Sequence, residues 1–159
     1  MIGLIVSAAT LAGGFFLFSD DGGAHTVKVP ALGISAEVPD GWLKQPPYPG
    51  EPRLSVYQGE REIASDCPAG VNTTVSVVVT ERETPGVPTV PRPDHFDAKT
   101  GIKETGKQAG DIECGMTSQV IQFTDGEKTF AASVLYGKDA SPARLAEAYG
   151  ILERLKVAA

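Results

Sequence analysis

Hydrophobic and polar positions divide this chain into two unlike parts. From Met1 to Phe18 there is no charge, and only Ser7 and Thr10 carry polar side chains, so at helical spacing no polar face exists. A helix over this stretch would be about 27 Å long at 1.5 Å per residue, enough to cross a hydrocarbon core. Gly3, Gly13 and Gly14 and the marginal length weigh against a permanent anchor, and Gly22-Gly23-Ala24 offers small residues at which a signal peptidase could cut. Residues 1–18 are therefore expected to be either a transmembrane anchor or a cleaved signal peptide. Residues 19–25 then form a polar spacer, and 26–159 fold. Asp20 and Asp21 follow the apolar run and no Lys or Arg precedes Lys28, which places the folding part on the outer side of the membrane.

Beyond the spacer the pattern changes to period two. Thr26 to Val38 reads as two short strands around a turn at Pro30 to Gly33, with Ile34, Ala36 and Val38 alternating against Ser35 and Glu37. Pro39-Asp40-Gly41 makes a second turn, and Trp42, the only tryptophan, follows it as a core plug. Leu54 to Tyr57 and Thr73 to Thr80 are expected strands, the second rich in Val and Thr. Two proline-rich stretches flank them. Gln45 to Pro52 holds four prolines and should cover the surface as an extended loop. In Thr84 to Pro93, Pro85, Pro88 and Pro91 recur every third residue, which favours polyproline II and a stiff connector over a docking ligand. Asp94 to Asp111 shows little periodicity beyond a short strand near Ile102.

The sharpest local signals lie near the C-terminus. Gln119 to Leu135 alternates around Thr124-Asp125-Gly126-Glu127, where Asp-Gly supplies the positive φ of a tight hairpin. Ser141-Pro142 then opens a helix of about fourteen residues, with Ser141 able to cap free amides and Pro142 losing no hydrogen bond in the first turn. Leu145, Ala148, Tyr149, Leu152 and Leu155 fall three and four apart, one apolar stripe for a sheet. The fold class expected is α+β, an antiparallel sheet packed by a C-terminal helix, after the N-terminal apolar helix.

Composition bounds the function. The 42% hydrophobic content supports a core, and the net charge of −6 argues against nucleic acid and anionic lipid surfaces as partners. Cys67 and Cys114 are the only cysteines, and in an oxidising compartment they are expected to form one disulfide. That bond would close a loop of about 47 residues, for which chain entropy gives about 4 kcal/mol.

Candidate chemistry is sparse. His95 is the only histidine well inside the folding part, no G-x-S-x-G elbow occurs, and no nucleophile-base pair can be named. Asp94-His95-Phe96-Asp97 could be read as metal ligands, but successive side chains of an extended chain diverge, so a solvated loop is expected. Glu60/Glu62 and Glu81/Glu83 share strand faces as an acid-base pair would, yet Arg61 and Arg82 beside them read as ordinary surface charge. Asn72-Thr73-Thr74 fits a glycosylation sequon by chance frequency. No catalytic residue, metal or cofactor is expected.

The order Gly41-Trp42, Cys67, Cys114, the Phe123 to Phe130 hairpin and the closing segment Tyr136 to Val157 resembles a family of uncharacterised exported domains of actinobacteria. More remotely it resembles the PsbP-like α+β sandwich, through Pro39-Asp40-Gly41-Trp42. The resemblance spans His25 to Val157 and implies a fold but transfers no catalytic residues. Two functions are carried forward: a non-catalytic interaction or accessory domain of the cell envelope, or a binder of a small apolar ligand in a pocket near Trp42, Tyr48 and Tyr57. A hydrolase is the third. The expected partners are thus an envelope protein or an apolar ligand, with the membrane engaged through residues 1–18.

Overall fold

The computed structural model describes residues 23–45, 50–59, 73–105 and 116–158. Among them the chain is mostly β-sheet with one C-terminal helix packed on the sheet. The expected anchor or signal at residues 1–18 lies outside the described residues, and no described helix is long and apolar enough to cross a membrane.

Strands β1 (His25–Val29) and β2 (Ile34–Val38) pair antiparallel around a 3-10 turn at Pro30–Leu32. Gly33 closes the turn at φ 65°, donating its N–H to the Pro30 carbonyl at 3.0 Å, a left-handed position that glycine adopts without a Cβ penalty. The period-two alternation of β2 is realised: Ile34, Ala36 and Val38 are buried and Glu37 is exposed. A strand that the sequence pattern does not announce, β10 (Lys156–Val157), pairs with the other side of β2 and completes a small three-stranded sheet.

The large sheet holds β3 (Leu43–Lys44), β4 (Leu54–Gln58), β5 (Val75–Thr80), β6 (Thr89–Pro91), β7 (Ile102–Thr105), β8 (Thr117–Asp125) and β9 (Lys128–Tyr136). Its order is β3-β4-β5-β9-β8-β6. The outer edge of β8 is shared: β7 runs antiparallel along Thr117 to Val120, and β6 runs parallel along Gln122 to Thr124. The β8/β9 hairpin is as expected, although the two loop residues are Gly126 and Glu127, with Asp125 already paired to Lys128 and Gly126 at φ 62°.

The proline-rich stretch Thr84 to Pro93 corrects the expectation of a plain connector. It turns at Thr84–Val87 and then supplies β6. Pro91 is tolerated there because an edge strand can lack one donor. Gln122, 4% exposed, fastens this stretch to the sheet, accepting from the Thr84 amide and donating to Val87 O and Thr89 Oγ1.

Alternation gives the large sheet two faces. Leu54, Val56, Val75, Val77, Val79, Ile121, Phe123, Phe130, Ala132 and Val134 meet Val27, Ile34 and Val38 of the small sheet, Leu32 of its 3-10 turn and Ala148, Ile151 and Leu152 of the helix in one core. The helix, α1 (Pro142–Glu153), is two residues shorter than the expected fourteen, and its Ser141 Oγ accepts from the Arg144 amide at 3.3 Å as a cap should. Its C-terminal carbonyls are met by Arg92: Nη2 lies 3.2, 3.2 and 2.6 Å from the oxygens of Leu152, Glu153 and Leu155, while Nη1 bonds the Asp125 carboxylate at 2.6 Å. One guanidinium thus joins the second proline stretch, the hairpin tip and the helix end, where positive charge is favoured by the helix dipole.

Candidate functional site

Trp42 follows a turn in which its amide donates to Pro39 O at 3.3 Å and Gly41 takes φ 77°. Its side chain is 1% exposed, within the core cluster, and the indole Nε1–H donates to Glu147 Oε2 of α1 at 2.8 Å. A buried indole needs such an acceptor, so Trp42 ties the edge of the large sheet to the helix. Tyr57 is 8% exposed and pairs with Leu43 across β3 and β4. Alternation along β4 turns it to the opposite face from Leu54 and Val56, so the structure does not bring Trp42 and Tyr57 together. Tyr48 lies outside the described residues.

Cys67 and Cys114 also lie outside the described residues, as do Glu60, Glu62 and Asn72. The strands that follow the two cysteines are described. Val75, eight residues after Cys67, and Thr117, three after Cys114, both pair with Tyr136. These two strand starts are therefore at one end of the large sheet, separated by two strand spacings, about 10 Å.

A buried polar chain runs from the helix to the loop before β7. Tyr149 Oη–H donates to Gln119 Oε1 at 2.7 Å, and Gln119 Nε2 donates to the carbonyls of Asp97, at 2.7 Å, and of Thr100. Gln119 is 0% exposed, a polar residue on the core face of β8. Burial, with smaller contributions from Tyr136 and Asp97, pushes the Tyr149 phenol up to about 12, which keeps it a donor at neutral pH. The Asp97 carboxyl is held below its ordinary range because it accepts from the Lys99 amide at 2.8 Å and from Thr100 Oγ1 at 2.9 Å.

The stretch Asp94 to Asp97 diverges as an extended chain does. Phe96 is buried, its ring edge-on to Phe123 at 5.6 Å, while His95 is exposed with Nδ1 3.5 Å from Glu153 Oε1. Among the described residues no three His, Cys, Asp or Glu side chains gather as metal ligands would. Glu81 pairs with Lys128 at 3.2 Å and Arg82 with Glu51 at 3.2 Å.

One cavity, of about 470 Å³, opens where the end of β1 and its 3-10 turn meet β3 and the segment entering β4. Lys28, Pro30, Lys44, Gln45, Arg53 and Ser55 are among its walls. Ser55 Oγ donates to Gln45 Oε1 at 2.6 Å, which orients the Gln45 amide beside the opening. No sequence signal groups these residues, because they come from three strands and a turn, and only strand register and sheet packing bring them together. Comparison with protein-family models, curated proteins and solved structures finds no match.

Proposed function

We propose that the chain is a non-catalytic interaction or accessory domain of the cell envelope, a PsbP-like α+β fold carried outside the cytoplasm by residues 1–18 and stapled by a Cys67–Cys114 disulfide. The observation that carries this reading is the uncharged run Met1 to Phe18 placed before a domain with just two cysteines. Two features of the fold support it. The buried polar side chains Gln119, Gln122 and Tyr149 are spent on loop backbone and on one another, the pattern of groups that fix a scaffold. The strand starts after the two cysteines share one end of the sheet, which suits a bond between them. The partner is an envelope protein. Affinity capture from solubilised envelope, with the intact chain as bait, tests the reading: one partner recovered repeatedly and lost on competition with untagged domain supports it, and turnover of a substrate with no partner recovered contradicts it.

A further inference from the structure

The 470 Å³ cavity beside β1 inverts the charge of the chain that contains it. The whole chain is acidic, at −6, yet Lys28, Lys44 and Arg53 line this opening with Glu51 as the one carboxylate among the lining residues. Glu51 is compensated by Arg82, 3.2 Å away. Lys28 and Lys44 are exposed and neither forms an ion pair among the described residues. Like charges gathered around a concave wall focus a field that draws in an ion of opposite sign. The size falls within the range of about 300–1,000 Å³ over which pockets take small molecules.

Chemistry of the wall defines the ligand further. Val29, Pro30, Ala31 and Pro52 also line the cavity and supply aliphatic surface. Because Gln45 accepts from Ser55 through Oε1, its Nε2 is left as a donor in the lining that Lys28 and Lys44 share. We propose that this cavity binds a small organic anion, its charged group held between Lys28 and Lys44 and its apolar body laid against Pro30 and Ala31. A bare inorganic ion would leave the aliphatic wall unused, and a neutral apolar ligand would leave the lysines unpaired. Neither Trp42 nor Tyr57 lines this cavity, and the site does not depend on where the domain is displayed.

Titration of the isotope-labelled full chain in neutral detergent, followed by backbone amide resonances of Ala31, Lys44 and Gln45, tests the proposal with benzoate as probe. Benzyl alcohol and inorganic phosphate serve as the neutral and the purely ionic controls. Saturable shifts with benzoate are expected, with binding about tenfold tighter than for either control, a difference readily resolved by titration. Added salt should weaken the interaction, since the lysines are exposed and screened. The Lys28→Ala/Lys44→Ala double variant, which alters only exposed side chains, should weaken benzoate about tenfold while resonances elsewhere stay in place. Absence of saturation with benzoate, an equal response to either control, or indifference to the double variant would each overturn the assignment.

Discussion

Replacing Arg92 by alanine removes a side chain that joins the second proline stretch, the hairpin tip and the helix end. Its guanidinium donates to the Asp125 carboxylate at 2.6 Å and to the Leu155 carbonyl at 2.6 Å, with Leu152 O and Glu153 O at 3.2 Å. Hydrogen bonds to charged groups contribute about 1.5–3 kcal/mol each. The partners here are not sealed from water: the side chains of Arg92 and Asp125 are 22% and 30% exposed, so hydration recovers part of the loss once the guanidinium is gone. Two strong bonds, discounted in this way, give about 2–4 kcal/mol. For a domain of this size that is a fall in Tm of roughly 6–12 °C. Urea denaturation of wild type, Arg92→Ala, Asp125→Ala and the double variant separates the ion pair from the helix-end contacts. The pair should couple by about 1 kcal/mol, and the remainder should persist in the Asp125→Ala background. Arg92→Lys, which keeps the charge at the helix end but loses the planar fork, should fall between wild type and alanine. An Arg92→Ala loss under about 1 kcal/mol would refute the role of this residue as the fastening of helix to sheet.

Other perturbations have equally definite outcomes. Gln119→Leu leaves the Tyr149 hydroxyl and the carbonyls of Asp97 and Thr100 without their partner and should cost about 2–4 kcal/mol by denaturant titration, against about 1–2 for Tyr149→Phe. Gly101 sits at φ 79° where a Cβ would collide with the Val120 carbonyl oxygen, whereas Gly126, at φ 62°, has open space around it. Gly101→Ala should therefore lower stability by more than about 2 kcal/mol and Gly126→Ala by about 1. Because the folded Tyr149 phenol titrates near 12 rather than 10, its contribution is complete below pH 10 and is lost as pH rises from 10 to 12, an alkaline limb that Tyr149→Phe should remove. Asp97 has the opposite sign: its lowered folded pKa supplies stability above the unfolded value of 3.8 that is lost as pH falls below it, and Asp97→Asn should flatten that acid limb.

What could be read from the sequence was local. The hairpin of β8 and β9 is legible because strict alternation flanks a glycine turn, and α1 because Ser141-Pro142 and the spacing from Leu145 to Leu152 lie within one stretch of chain. The strands β6 and β10 are not legible, since each is two or three residues long and exists only by pairing with a strand distant in sequence. Pro91 argues against a strand in general and is harmless only because its strand is at an edge. Gln119 and Gln122 resemble solvent-facing residues of a half-buried strand, yet both are buried because loops fold back over them and use their amides. Ile151 falls outside the apolar stripe expected for the helix and is buried all the same, in the core the helix shares with both sheets. The cavity was invisible for the same reason: Lys28, Lys44 and Arg53 share no periodicity, and only the folded chain brings them to one opening.

Export is the premise on which the proposed role rests, and intact-mass measurement after alkylation of the chain in its native cells tests it most directly. The expected species is found outside the cytosol or in the membrane fraction, lighter than the reduced chain by two hydrogens and unmodified at Cys67 and Cys114 until a reductant is added. A cytosolic species with both thiols alkylated before reduction would contradict it.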